Sequence, residues 1–296
     1  MSTFKQHPAF PAQDVDAEGS VAELFHENTK LWPDPDVAPD LMPPSGFSVD
    51  EALALSRAYK SYEVRPRVVL PMPSTRPGRA PTYDDVVAAR RTIRTFGDSA
   101  VALATLSALL ELTYGVTGAE HTDGGGVINL RAAPSAGALY PAELYLGVRK
   151  VEGLDTGIYH FEPHSSSLAL LRSGDPTDVL LEACCWQPHV TSAAVTILFS
   201  GVFERTTRKY GARGYRYVLL DVGHVAQNLC LAATSLGLAV TTTCGFYDDR
   251  ANDMLGLGGL DEAVLYVAFV GPRVDEGTVA PDLDPTCPVW PSSDVV

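Results

Sequence analysis

The sequence predicts an α+β fold, with one central and mostly antiparallel sheet and helices packed on it. Three observations predict this. Ala193–Ser200 and Ala263–Val270 are short, almost wholly apolar, β-prone runs of the kind that fill a sheet interior. Tyr215–Leu236 repeats apolar residues at helical spacing. Helices and strands also follow one another without the regular alternation of a parallel βαβ sheet. The chain has 296 residues, 46% apolar and 20% charged. That is an ordinary globular profile, and enough chain to fold without disulfides or metal.

The elements are taken in order along the chain. Twelve of the 22 prolines lie in residues 1–82, so residues 1–81 read as an extended arm. Helical pieces are expected there at Val21–Lys30 and Val49–Tyr62. Thr82-Tyr-Asp-Asp85 fits a capping box with Asp in the place of Glu, opening a helix to about Arg90. A second helix carries Leu103, Leu106, Leu109, Leu110 and Tyr114 on one face and stops at Gly115. A loop holds Gly124-Gly-Gly126. Glu143–Lys150 alternates Leu144, Leu146 and Val148 inward as a strand, and Gly157–Phe161 and Ser167–Arg172 continue a meander. Asp178–Trp186 reads as a short helix, and Cys184 and Cys185 as small apolar residues at its end. After the long helix, ended by Gly237, come a β-prone Val240–Thr243, a helical Asp248–Leu255 and the last buried strand. The ordered domain is bounded at 82–274, leaving 275–296 as an irregular tail.

Charge and motif content exclude several functions. Lys and Arg number 22 against 36 Asp and Glu, a net charge of −14, which repels nucleic-acid phosphates and anionic lipid. Val222–Tyr247 lacks Asp, Glu, Lys and Arg, but it holds His224, Gln227, Asn228 and several hydroxyls and does not read as a membrane span. The opening MSTFKQHPAF has no apolar signal core, so a cytoplasmic protein is expected. Five cysteines without a C-x-x-C pair argue against a zinc ribbon or disulfide framework. His160 and His164 flank Pro163 and read as loop histidines, so no metal site is expected. No P-loop, Rossmann fingerprint or nucleophile elbow is present.

Three segments carry chemistry. Arg90-Arg-Thr-Ile-Arg94 gathers three guanidiniums and a hydroxyl, a donor set suited to a phosphate monoester. The same cations could instead offset the dipole of the preceding helix. Pro134-Ser-Ala-Gly-Ala-Leu-Tyr-Pro141 is a stiff loop of small residues against which a flat ligand could lie, or a plain turn into the next strand. Thr241-Thr-Thr-Cys-Gly-Phe246 again offers backbone to a ligand.

Together with Gly214-Tyr-Arg-Tyr-Val-Leu-Leu-Asp-Val-Gly-His224 and the Gln227-Asn-Leu229 that follows it, these segments resemble the nitroreductase-like FMN-dependent family. Within it they resemble the SagB-type branch, dehydrogenases of thiazole- and oxazole-containing peptide pathways. The resemblance covers roughly residues 82–273 and implies FMN at the interface of a homodimer. Arg90, Arg91 and Thr92, joined by Arg273, would hold its phosphate, and Arg94 would reach the pyrimidine edge of the flavin. Pro134, Ser135, Ala136 and Gly137 would line the ring system, from the partner subunit. The amides of Cys244 and Gly245 would face flavin N5. Relatives often carry Glu where this chain has Cys244, so no carboxylate acts there. The resemblance also makes Lys209 and Tyr210 the catalytic pair, Lys209 as base and Tyr210 as relay or orienting group. Read without it, Arg208–Tyr217 is a solvated basic stretch capping a helix. The implied reaction is oxidation of a thiazoline or oxazoline in a peptide, with a cyclodehydratase complex as a conceivable partner. The alternative is an NAD(P)H-dependent reductase of nitroaromatics or quinones. His224 reads as a hydrogen-bonded structural histidine, and Gln227 and Asn228 as partners for buried backbone groups.

Overall fold

The computed structural model describes residues 20–30, 59–72, 81–121 and 126–274. Eleven strands are described: β1 (Arg67–Val69), β2 (Val101–Ala102), β3 (Val116–His121), β4 (Val127–Arg131), β5 (Ala142–Val148), β6 (Val151–Glu152), β7 (Gly157–Glu162), β8 (Ser167–Ser173), β9 (Val195–Val202), β10 (Leu238–Thr243) and β11 (Glu262–Pro272). The helices are α1 (Val21–Asn28), α2 (Tyr83–Ala89), α3 (Leu103–Tyr114), α4 (Thr177–Ala183), α5 (His189–Ser192), α6 (Phe203–Tyr210), α7 (Gly214–Ser235) and α8 (Asp248–Leu255). Seven strands form the central sheet in the order β1-β8-β7-β5-β9-β11-β10. Every neighbouring pair in it is antiparallel. The α+β expectation is met.

Both faces of that sheet are covered. Leu144, Leu146 and Phe199 point to one face, where Leu109 and Leu110 of α3 and Val222, Val225 and Leu229 of α7 pack on them. Tyr145, Leu198 and Phe269 point to the other, against Leu180 of α4 and Ala251 and Leu255 of α8. All seven residues of β5 are therefore buried, not only the alternate ones that the sequence placed inward. The capping box at Thr82 forms as expected: its hydroxyl accepts from Asp85 N (3.2 Å), and Asp85 accepts from Thr82 N (2.9 Å). Thr82→Ala removes this cap, and a loss of about 1 kcal/mol in urea unfolding is expected.

Several short or exposed elements escape the sequence reading, among them β1, the β3–β4 ribbon and α6. β3 and β4 form a two-stranded ribbon where only a loop was expected. Most of β3 is exposed, so no buried face writes a period into its sequence. α6 forms from FERTTRKY, a segment too polar for an apolar stripe, and the basic run turns out to be a helix of its own. His160 is a correction too: it lies within β7 and is fully buried, not in a loop. Of the expected helix Val49–Tyr62, residues 49–58 lie outside the described residues, and 59–62 have no regular structure. The 275–296 tail also lies outside them.

Candidate active site

The arginine segment follows α2 and runs beside the edge strand β10, with Ile93 N donating to Val240 O at 2.9 Å. Arg90 and Thr92 line a cleft of about 260 Å³ together with Gly223, Gln227, Thr241 and Thr242. A guanidinium and several hydroxyls around a small-residue floor suit a phosphate monoester. Arg91 is spent otherwise: its Nη1 donates to Ala88 O and Arg90 O, both at 2.8 Å, capping the end of α2. This is the helix-end role that the sequence left open. The Arg94 side chain is exposed, and its carbonyl pairs with the His189 imidazole at 3.1 Å.

Arg273 sits at the other side of β10, with Nε donating to Leu238 O at 3.4 Å. Cys244 and Gly245 follow the far end of that strand. Six residues of strand put roughly 20 Å between the two ends, so Arg273 and the Cys244 loop do not meet. Cys244 is exposed. Gly245 N donates to Thr243 Oγ1 (2.9 Å), and Gly245 O accepts from the side-chain amide of Gln187.

The loop 134–141 is built on left-handed backbone at Gly137 (φ 63), Ala138 (φ 53) and Tyr140 (φ 45). It is pinned from α7, where Asp221 accepts from Ser135 Oγ at 2.5 Å and from Ala136 N at 3.4 Å. Burial raises the Asp221 pKa, and the Ser135 hydrogen bond opposes that rise. Pro134, Ser135 and Ala136 share a cavity of about 320 Å³ with Tyr217, Leu220 and His224.

Lys209 and Tyr210 end α6, where Gly211 (φ 57) turns the chain. They stand against that loop: a methyl group placed on Gly137 would lie 2.7 Å from the Tyr210 hydroxyl and 3.3 Å from Lys209 Nζ. Tyr210 packs edge-on to Tyr217, with ring centroids 5.0 Å apart. Burial, and then the neighbouring Tyr217 and Asp221, raise its pKa and keep it a proton donor. Two segments more than seventy residues apart in sequence thus meet at one point, a glycine on one side and an amine and a phenol on the other.

The model of the Nitroreductase family matches residues 87–271 of this chain. The chain belongs to the nitroreductase family. Membership places it among oxidoreductases. It is 38% identical over 192 residues to the nitroreductase-like protein MJ1384 of Methanocaldococcus jannaschii, covering 65% of this chain and 91% of that one. It is 31% identical over 162 residues to the microcin B17-processing protein McbC of Escherichia coli, covering 49% of this chain and 56% of that one. The match thus spans little more than half of McbC. Among solved structures, a nitroreductase-family protein of Anabaena variabilis superposes with a TM-score of 0.66 at 28% identity, over 85% of this chain and 46% of that one. The E. coli microcin synthetase McbBCD complex with truncated pro-MccB17 bound gives 0.53 at 21% identity, over 90% of this chain and 85% of that one, a likeness of fold.

On this nitroreductase scaffold lies a buried ionic cluster that sequence reasoning missed. Glu143 is ion-paired with Arg205 Nη1 at 2.6 Å and faces His160 Nε2 at 2.8 Å. Arg205 also donates to Tyr140 O at 2.9 Å, fastening α6 to the 134–141 loop. Asp221 was missed as well, although a carboxylate inside the apolar face of α7 is a readable signal. His224, expected to be structural, is exposed and lines the loop cavity. Asn228 does satisfy buried carbonyls, donating to Ala132 O (3.1 Å) and Thr113 O (3.3 Å). Among the described residues no helix is long and apolar enough to cross a membrane, and no group of three or more His, Cys, Asp or Glu side chains could hold a metal.

Proposed function

We propose that this protein is an FMN-dependent dehydrogenase that oxidises thiazoline or oxazoline rings of a modified peptide to thiazoles or oxazoles. The observation that carries this reading is the meeting of Gly137 with Lys209 and Tyr210. The side-chain atoms nearest a Cβ placed at that glycine belong to an amine and a phenol, which suits removal of a ring proton beside a flat ligand. The donor set around Arg90, Thr92, Thr241 and Thr242 fits the FMN phosphate; Arg273, at Leu238 O, and Arg94 would reach the cofactor from outside that cleft. Bound FMN supplies a two-electron acceptor. Lys209 takes the ring proton, Tyr210 orients the ring, and the backbone of Cys244 and Gly245 lies at the redox end.

The domain unit expected at 82–274 also takes in β1 (Arg67–Val69), which pairs with β8 in the central sheet, so the 1–81 arm is not wholly separate from it; 275–296 is the proposed tail. In this reading two copies pair through α7, where Leu219 and Leu220 are 43% and 59% exposed, and Pro134–Gly137 of one copy faces the flavin held by the other. The likeness to McbC, a microcin B17-processing protein, supports a peptide substrate; the setting proposed with it is a cyclodehydratase complex in the cytoplasm.

The test is FMN-loaded protein incubated with an azoline peptide and followed by mass spectrometry. Loss of two hydrogens per ring is expected. The similarity to MJ1384 over most of its length favours one competitor, an NAD(P)H-dependent reductase. Rapid bleaching of the flavin by NADPH with no change in the peptide would establish that reading instead. Lys209→Ala is expected to slow ring oxidation by about 100-fold or more with FMN absorbance unchanged.

A further inference from the structure

A groove beside the Cys244–Gly245 loop takes no part in the chemistry above. It holds about 610 Å³ and is lined by Trp186, Phe246 and Tyr247 together with Glu182, Asp248, Asp249 and a single cation, Arg250. Trp186 is 66% exposed and Tyr247 54%, although aromatic side chains of this size stabilise a fold most when buried.

Trp186 is also held there against its own backbone preference. Cys185 (φ 52) and Trp186 (φ 56) are consecutive residues in the left-handed region, which is costly for side chains of this kind. Hydrogen bonds pin the turn: Trp186 N to Leu181 O at 2.8 Å and Gln187 N to Cys184 O at 3.1 Å. The Gln187 side chain then ties it to Gly245 O. The fold maintains a strained turn whose product is an indole standing in solvent, fixed to the loop at the redox end of the site. Strain of this kind clusters at ligand clamps.

The charge of the rim selects the visitor. Arg250 pairs with Glu182 at 3.2 Å. Among the described residues Asp248 and Asp249 form no ion pair, and both are exposed. Their place in the first turn of α8 accounts for acids at that helix end. It does not account for the aromatic wall beside them.

We propose that this groove holds the segment of the peptide substrate that flanks the reacting ring, and that this segment is basic and carries completed thiazole or oxazole rings. The planar rings stack on Trp186 and Tyr247, and the cationic side chains face Asp248 and Asp249. The inference rests on the proposed function, because it takes the Cys244–Gly245 loop as the place where the ring reacts.

The experiment titrates the full chain with a basic peptide that bears thiazoles but no azoline, so that nothing turns over. Isothermal titration calorimetry reads the affinity of every variant, and tryptophan emission of the wild type adds the local signal. The sequence holds three tryptophans, Trp32, Trp186 and Trp290, so Trp186→Phe isolates the signal of Trp186. Wild type is expected to bind with an affinity that weakens as salt rises. Trp186→Ala is expected to weaken binding at least about 10-fold, while Trp186→Phe keeps most of it. Asp248→Asn with Asp249→Asn is expected to flatten the salt dependence. An acidic peptide of equal length is expected not to bind.

Equal binding of the acidic peptide, or unchanged binding to Trp186→Ala with its melting curve intact, overturns the proposal. So does Trp186 emission that ignores peptide and follows protein dilution, because a second copy then covers the groove. Azoline oxidation by Trp186→Ala with KM unchanged removes the groove and leaves the dehydrogenase. Peptide binding as described without azoline oxidation keeps the groove and removes the dehydrogenase.

Discussion

Gly137→Ala is expected to lower azoline turnover by about 100-fold while the protein stays folded, because a misplacement of about an ångström at a reacting site costs that much. The added methyl would stand 2.7 Å from the Tyr210 hydroxyl and 3.3 Å from Lys209 Nζ. Both are tips of flexible side chains at the end of a helix. They can swing away, so the steric cost to the fold is small and the displacement falls on the catalytic pair. The backbone adds its own term, since Gly137 has φ 63, a region that a residue with a Cβ occupies at a cost of about 1 kcal/mol. Rate and melting temperature measured on the same preparation test this. A rate within twofold of wild type would separate Lys209 and Tyr210 from the reaction.

The largest stability effect is expected at Glu143. Glu143→Ala should cost about 3–5 kcal/mol in denaturant unfolding, because it leaves Arg205 buried without its carboxylate. Burial by itself would raise the Glu143 pKa. The Arg205 charge and the His160 hydrogen bond outweigh it and hold the group at about 2. The folded-state pKa is therefore depressed below the ordinary 4.5. A group of that kind contributes stability that is fully present above the unfolded-state pKa and disappears as pH falls through the folded-state value. The wild type should lose stability on acidification from about pH 4.5 toward 2, and Glu143→Ala should lose less over the same interval. Parallel pH profiles for the two proteins would show that the cluster does not govern acid unfolding. Arg205 also holds Tyr140 O, so loosening this cluster is expected to slow turnover as well.

What could be read from the sequence follows the physics of each signal. Buried strands and the long helix α7 declare themselves because burial imposes a hydrophobic period, and the Thr82 cap because its residue types are dictated by unpaired amides. The β3–β4 ribbon and α6 do not, because exposed or strongly polar elements carry no such period. The arginine run was legible as a group, but not its division of labour. Only the path of the chain sends Arg91 back to the carbonyls of α2 and leaves Arg90 in the cleft.

By itself the sequence determined the α+β class, the order of most elements, the family resemblance and the residue types at each candidate position, all of which depend on neighbours along the chain. Only the tertiary structure decided which of those residues share a space. It brought Gly137 to Lys209 and Tyr210, and Asp221 to Ser135. It also buried Glu143, His160 and Arg205 as one cluster and left Trp186 in solvent beside Gly245. The physical reason is that hydrogen bonds, ion pairs and steric contacts act over a few ångströms of space whatever the separation along the chain. Local periodicity sets which element forms, but the packing of the sheet and its helices sets which elements touch.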